Sequence, residues 1–352
     1  MVETVIGGFR ITGISAAVPQ RYAAIEDVKN DANRENLEKF EKMTGIHGSY
    51  RANERQTTSD FCCVAAKRLL EKKRIDPKEI GALVLVTQSE DYHVPATACV
   101  LQSRLGISKE AMAFDINLGC SGYVYGLGVL TSIMQCSNIE KAILAVGDTV
   151  AKPKIKDGAS NDSNSYKFLF GDSGTATLIE KDPAAEPVVT RYCTDGDQFR
   201  SIIRPYGHWR HPTKPDVPEM DDIAVFNFTI SEIPGMVKAY LERTNTEIED
   251  YDGFVPHQAN LFILKQLAKK AKIPMDKVLI SIDRYANTSS SSIPLTIVHN
   301  FGDGNADREL RLLVCGFGVG LSWAITELRI NVKDVLPVLQ TDEAFEDGYQ
   351  DT

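Results

Sequence analysis

The 352-residue chain, 43% hydrophobic and 25% charged, can bury a large core as one big domain or as two fused halves. Its net charge of −9 excludes nucleic acid as a partner, because a phosphate backbone demands a basic footprint. No run reaches the roughly eighteen consecutive apolar residues of a membrane span, and the N-terminus lacks a basic-then-apolar leader, so a cytoplasmic protein with no membrane association is expected. Seven cysteines is an odd number, with only Cys62 and Cys63 adjacent and no Cys-x-x-Cys pair, which points away from a disulfide framework or a zinc site.

Short β-branched runs alternate with longer runs of helical period, which predicts α/β layers around parallel strands. In chain order the pattern predicts a helix over 59–72, a strand over 83–87, a helix over 95–105, a strand over 111–116, a helix over 123–135, and strands over 142–146 and 175–179. It continues with helices over 234–243 and 260–271 and strands over 254–256, 278–282, 312–315 and 323–328. The passage 81–89 leading into a helix rhymes with 253–260, and 143–148 leading to 171–179 rhymes with 312–316 leading to 320–328. A duplicated unit follows: an N-terminal half over 1–183, a C-terminal half over 184–330 and an acidic extension over 331–352. The extension carries Asp334, Asp342, Glu343, Glu346, Asp347 and Asp351 against Lys333, and is expected to be solvated. The segment 204–222, with four prolines, is too irregular for a strand and is expected to cover an active-site mouth. It holds His208 and His211, but no third ligand lies nearby in sequence, so no metal is expected.

Cys120 stands between the strand over 111–116 and the helix over 123–135, in Asn117-Leu118-Gly119-Cys120-Ser121-Gly122. There it faces the first N–H groups of a helix, whose partial positive charge favours thiolate and marks a candidate nucleophile rather than one more small core residue. Partners lie downstream: His257 in Val255-Pro256-His257-Gln258-Ala259-Asn260, and Asn287 in Arg284-Tyr285-Ala286-Asn287-Thr288-Ser289, each ending an apolar strand. A papain-like protease uses Cys, His and Asn in this order, but places its cysteine near the mature N-terminus in an aromatic-flanked signature that is absent here.

Gly119-Cys120-Ser121-Gly122, His257-Gln258-Ala259-Asn260, Asn287-Thr288-Ser289 and Gly316-Phe317-Gly318-Val319-Gly320-Leu321-Ser322-Trp323 resemble the signatures of β-ketoacyl-acyl carrier protein synthase III, in that family's order and approximate spacing. The resemblance covers about residues 5–330. It implies a thiolase-like fold of two βαβαβαββ halves in five α-β-α-β-α layers, with Cys120 and Asn287 as counterparts, and a homodimer. It also implies a chemistry with no permanently bound cofactor. An acyl group from acyl-CoA or an acyl-carrier thioester loads onto Cys120, with the backbone N–H groups of Cys120 and Val319 holding the oxyanion. Malonyl on an acyl carrier protein then loses carbon dioxide, and a neutral His257 with Asn287 hydrogen-bonds the enolate oxygen while its carbon attacks the acyl-Cys120 thioester. Phe317 would wall the site against water. Two rivals remain: an acyltransferase of the same fold that passes the acyl group to an oxygen or nitrogen nucleophile, and a non-catalytic carrier-binding protein that dispenses with the nucleophile.

Three departures from the family pattern bear on substrate. The Trp and Arg that sandwich adenine in the family are Lys39 and Met43 before Thr44-Gly45-Ile46, leaving Phe40 to stack or the primer to arrive on a carrier. Phe262 replaces an Arg associated with carrier docking; with Lys265 and Lys269 it shares one helix face that follows Asn260 and could receive an acidic carrier helix. Val94 replaces the Phe by which acetyl-selective members close the neighbouring protomer's acyl pocket, so a primer longer than acetyl or branched is expected, each buried methylene adding roughly 0.8 kcal/mol.

Overall fold

Two sheets, each flanked by helices, dominate the computed structural model, which describes residues 2–30, 33–151, 168–214 and 216–349. In chain order the elements are β1 (Val2–Ile6), β2 (Phe9–Pro19), β3 (Tyr22–Ala24), α1 (Arg34–Thr44), β4 (Gly48–Tyr50), α2 (Thr58–Lys73), β5 (Ala82–Val86), α3 (Thr97–Leu105), β6 (Met112–Ile116), α4 (Gly122–Gln135), β7 (Lys141–Asp148) and β8 (Ser173–Lys181). They continue with β9 (Val188–Thr194), β10 (Ile202–Ile203), β11 (Glu219–Met220), α5 (Asp222–Thr244), β12 (Gly253–Pro256), α6 (Leu261–Ala271), α7 (Ile282–Tyr285), α8 (Ser292–Phe301), β13 (Glu309–Gly318), β14 (Ser322–Asn331) and β15 (Leu339–Thr341).

The sheets run β15-β2-β8-β7-β5-β6 and β1-β9-β14-β13-β12. Their pairings repeat: β5 with β7 and β12 with β13 are parallel, while β7 with β8, β13 with β14, β8 with β2 and β14 with β9 are antiparallel. This is the expected duplication. β5 and most of β7 are buried on both faces, as strands covered on two sides must be, and both read as near-continuous apolar runs.

Five layers result. α4 and α8 lie between the sheets, each touching strands of both, and the cluster around Tyr123, Leu130, Ile293 and Leu295 fills that middle layer. α2 and α3 cover the outside of one sheet through Phe61, Leu69 and Leu101, and α5 packs outside the other, with α6 against it, through Met236, Tyr240 and Leu267. α4 is apolar almost all round because both its sides are buried. Among the described residues no helix is long and apolar enough to cross a membrane.

Four expectations need correction. The segment 278–282 forms no strand: Val278 makes a single parallel bridge to Phe254 where the other half has the whole of β6, and a short helix follows. The helix expected from Pro234 begins twelve residues earlier at Asp222, because the Asp221 side chain accepts the Ala224 N–H at 2.9 Å and caps it there. The division at 183 is not clean, since β1 pairs with β9 in the C-terminal sheet and β15 pairs with β2 in the N-terminal one.

The extension is docked along 335–341, while its acidic end over 342–349 stays exposed, as expected, apart from the half-buried Ala344. Val335 and Leu336 are buried, the Gln56 amide donates to the carbonyls of Thr341 and Glu343, and the Phe345 N–H donates to Asp60. Arg104 lies 4.6 Å over the Phe345 ring, Arg55 pairs with Glu346, and Tyr92 donates to Asp347. Glu346 and Asp347 thus have specific partners, as has Asp334 in Lys73, while Asp351 lies outside the described residues.

Candidate active site

Cys120 follows β6 and immediately precedes the first turn of α4, where the Gly122 N–H donates to the Gly119 carbonyl at 2.7 Å. A side-chain carbon at Gly122 would stand 2.4 Å from Val86 Cγ1, so only glycine lets α4 start this close to β5. His257 follows β12, with its N–H donating to the Cys315 carbonyl of β13 at 2.8 Å. Asn287 is held by its own N–H donating to Leu169 and by its carbonyl accepting from Gly171, both at 3.0 Å. All three are buried, Cys120 and His257 at the C-terminal ends of β6 and β12 and Asn287 after α7.

Ser289 joins them. Its N–H donates to Asn287 Oδ1 at 2.8 Å, which leaves the Asn287 Nδ2 amide as the donor end. Its backbone hydrogen-bonds the His257 ring, and its hydroxyl hydrogen-bonds the Cys120 sulfur. Ser289 reaches all three from a left-handed backbone, φ +52°.

The turn after β13 closes on the sulfur. A side-chain carbon at Gly318 would stand 2.6 Å from Cys120 Cβ and 2.9 Å from Sγ, so any larger residue would push the turn away. Both the Val319 N–H and that of Cys120 itself hydrogen-bond the sulfur. Ser322 fixes this turn, donating to the Val319 carbonyl at 2.7 Å and meeting the Ser121 hydroxyl at 2.7 Å. Two backbone donors thus converge on the Cys120 sulfur.

Burial pushes the Cys120 thiol up to about 12, the Asp148 carboxylate adds to the rise, and the Val319, Ser289 and Cys120 hydrogen bonds oppose it. The expected resting thiolate is therefore corrected to a thiol: the cysteine does begin a helix, but desolvation outweighs that effect. Burial holds the His257 imidazole down at about 3, with the Ser289 backbone pulling the other way, so the ring is neutral as expected. Its Nδ1 lies 2.7 Å from Ser292 Oγ, and Phe317, itself buried, packs edge-on against it at 5.5 Å between centroids.

Sequence reasoning passed over Asp148, Ser289 and Ser292. Asp148 ends the apolar run of β7 as a fully buried acid, a signal available in the sequence. It accepts from the Gln88 N–H at 2.8 Å and from the Ser290 N–H at 3.1 Å and hydroxyl at 2.6 Å, tying the loop after β5 to the loop carrying Asn287.

The peripheral expectations fare unevenly. Phe40 is buried among Leu37, Ile46 and Phe168, so it cannot stack on a nucleotide; Met43 is exposed and Lys39 pairs with Glu35 at 2.6 Å. Asn260 caps α6, its Oδ1 accepting the Ile263 N–H at 2.8 Å. Phe262, Lys265 and Lys269 do share an exposed face, with Phe262 stacked on Phe226 of α5 at 5.5 Å. Val94 is 82% exposed and lines no enclosed part of its own chain's site.

Residues 114–196 match the family model for 3-oxoacyl-[acyl-carrier-protein] synthase III, and residues 241–330 match the model for its C-terminal region. The β-ketoacyl-[acyl-carrier-protein] synthase III of Methylococcus capsulatus is 30% identical over 325 residues, which cover 91% of this chain and 98% of the relative. Among solved structures, a 3-oxoacyl-(acyl-carrier protein) synthase from Burkholderia xenovorans LB400 superposes with a TM-score of 0.89 at 32% identity, covering 97% of this chain and 99% of that one. The synthase III of Pseudomonas aeruginosa PAO1 gives 0.80 at 26% identity, covering 92% and 98%. With relatives matched over nearly their whole length and a fold that superposes on theirs, the chain belongs to the 3-oxoacyl-[acyl-carrier-protein] synthase III family of condensing enzymes.

Proposed function

We propose that this chain transfers an acyl group from a thioester to Cys120 and condenses it with malonyl-acyl carrier protein to give a 3-oxoacyl-acyl carrier protein. The observation that carries this reading is Ser289, whose contacts gather Cys120, His257 and Asn287 into one buried site. In the first half-reaction the Cys120 sulfur replaces the thiol of the incoming thioester, and the departing thiol takes the proton that Cys120 loses. The backbone N–H groups of Cys120 and Val319 hold the oxyanion. In the second, the malonyl carboxylate leaves as carbon dioxide, its bonding electrons form an enolate, and the enolate carbon attacks the acyl carbonyl and expels Cys120 as a thiolate that takes up a proton. With Nδ1 engaged by Ser292, the His257 ring offers Nε2, and Asn287 offers Nδ2, to that enolate oxygen. A neutral imidazole suits this role, and Phe317 against the ring excludes water from the acyl-enzyme.

The carrier protein docks on the face of Phe262, Lys265 and Lys269, where an exposed aromatic flanked by two lysines suits an acidic helix. In a homodimer the exposed Val94 would be covered by the second protomer and shape its acyl pocket, giving room for a primer longer than acetyl or branched. Intact-protein mass spectrometry tests the reading. A panel of acyl-CoA and acyl-carrier thioesters is expected to leave an adduct on Cys120 that malonyl-acyl carrier protein discharges with release of carbon dioxide, the longer or branched acyl groups loading best. An adduct that survives malonyl addition would move the chemistry to acyl transfer onto oxygen or nitrogen. Strict acetyl preference would remove the role given to Val94.

A further inference from the structure

We propose that Glu90, His93 and His208 bind one zinc-class divalent cation, which clamps the segment 204–222 to the loop between β5 and α3. The fold supplies what the sequence did not show: the third and second ligands of His208 lie more than a hundred residues away, in the loop that leads to Val94. Glu90 Oε1 stands 3.4 Å from His93 Nδ1 and 3.9 Å from His208 Nε2, and one ligand atom from each residue lies within 4.8 Å of the others. The two imidazoles meet edge to face at 4.8 Å between centroids. A tetrahedral zinc with bonds of about 2.0–2.1 Å holds its donors roughly 3.3–3.4 Å apart, so rotations of exposed side chains suffice to close the site.

The donor set, two imidazoles and a carboxylate, suits zinc or a neighbouring first-row ion rather than calcium or magnesium. Glu90 is the least exposed of the three, at 34% for its side chain, and the His208 imidazole, away from Val94, is open to solvent, which gives an ion entry and leaves a fourth position for water. His211 is not part of the cluster: its backbone N–H turns back to the His208 carbonyl and its ring lies against Tyr206. The cluster includes none of Cys120, His257 and Asn287, so its role is structural: it orders the segment that carries His208.

The test uses the tag-free full chain, treated with chelator and titrated with Zn²⁺ by calorimetry. One equivalent per chain is expected, abolished in His93→Ala and in His208→Ala, weakened about tenfold in Glu90→Gln, and unchanged in His211→Ala. Zinc should also slow proteolytic cleavage within 204–222 in the wild type and in His211→Ala, but not in His208→Ala. Absence of a stoichiometric site would overturn the proposal. So would retention of binding in a His93→Ala/His208→Ala double variant, which would place the ion on the exposed Cys99 or Cys136 instead.

Discussion

Replacing Asp148 with asparagine is expected to weaken the fold and at the same time make Cys120 more reactive. Asp148 is fully buried, and its two oxygens divide five donors: Oδ1 accepts from the Gln88 N–H at 2.8 Å and from the Thr87 and Ser89 hydroxyls at 3.2 Å, while Oδ2 accepts from the Ser290 N–H and hydroxyl. The hydroxyls can turn, but the two backbone N–H groups cannot. An amide offers one oxygen, so whichever way it is set, one of those N–H groups faces another N–H. Leaving that donor unsatisfied costs about 1–3 kcal/mol, and losing the charge on the remaining bonds brings the total to about 3 kcal/mol. The effect on sulfur has the opposite sign. After burial, the Asp148 carboxylate is the largest influence raising the Cys120 thiol, so neutralising it lowers that pKa, and each unit of fall multiplies the thiolate roughly tenfold at fixed pH. Urea unfolding followed by circular dichroism reads the first effect. Iodoacetamide labelling of Cys120 between about pH 7 and 9, with Cys120→Ser as background for the exposed Cys99 and Cys136, reads the second. Condensation should fall even as labelling rises, because Ser290 anchors the loop that carries Ser289. A folded Asp148→Asn protein labelled no faster than wild type would refute the argument that this carboxylate's field reaches the sulfur.

His257 and Arg104 give two further predictions. His257 is depressed from 6.5 to about 3, so between those values the unfolded chain binds a proton that the folded one refuses. Stability from this group is fully present above about pH 6.5 and drains away as pH falls, by up to about 1.4 kcal/mol per unit; His257→Gln should flatten the slope of unfolding free energy between pH 4 and 6.5, and an unchanged slope would contradict it. Arg104 pairs with the buried Asp60 at 2.8 Å and covers Phe345 of the extension. Arg104→Ala strands that carboxylate and should cost about 3–5 kcal/mol in thermal or urea unfolding, with a loss below about 1 kcal/mol counting against it.

The middle of the molecule was legible from sequence because local patterns carry it. α2, α4 and α6 announce themselves by apolar residues at helical period and β5 and β7 by apolar runs, and all end within two or so residues of expectation. Cys120 and His257 stand at strand ends, as their motifs implied. Asn287 was misread as ending a strand because 278–282 is apolar and β-branched. In the structure Gln258 accepts the Ser281 N–H and so takes a bond that a ladder would have made. β2 was not foreseen: Gly13, Ser15, Ala16 and Ala17 give it no alternation, and its place is set by pairing with β8 more than 150 residues away. Partners more than a hundred residues apart also dock the acidic extension and bring Glu90 to His208, and no window of sequence contains both ends of such a contact.

The crossing of the chain's two ends has a consequence for how the protein can be made. β1, the first strand, completes the sheet of the second half, and β15, the last, covers the edge of the first half's sheet. A nascent N-terminal half leaves the ribosome with its β2 edge bare until β15 emerges, and its first strand is without a partner until β9 of the second half follows. Neither repeat is then an autonomous folding unit, although the two share one pairing order. Expressed separately, the halves should aggregate; expressed together, they should need each other's termini to become soluble.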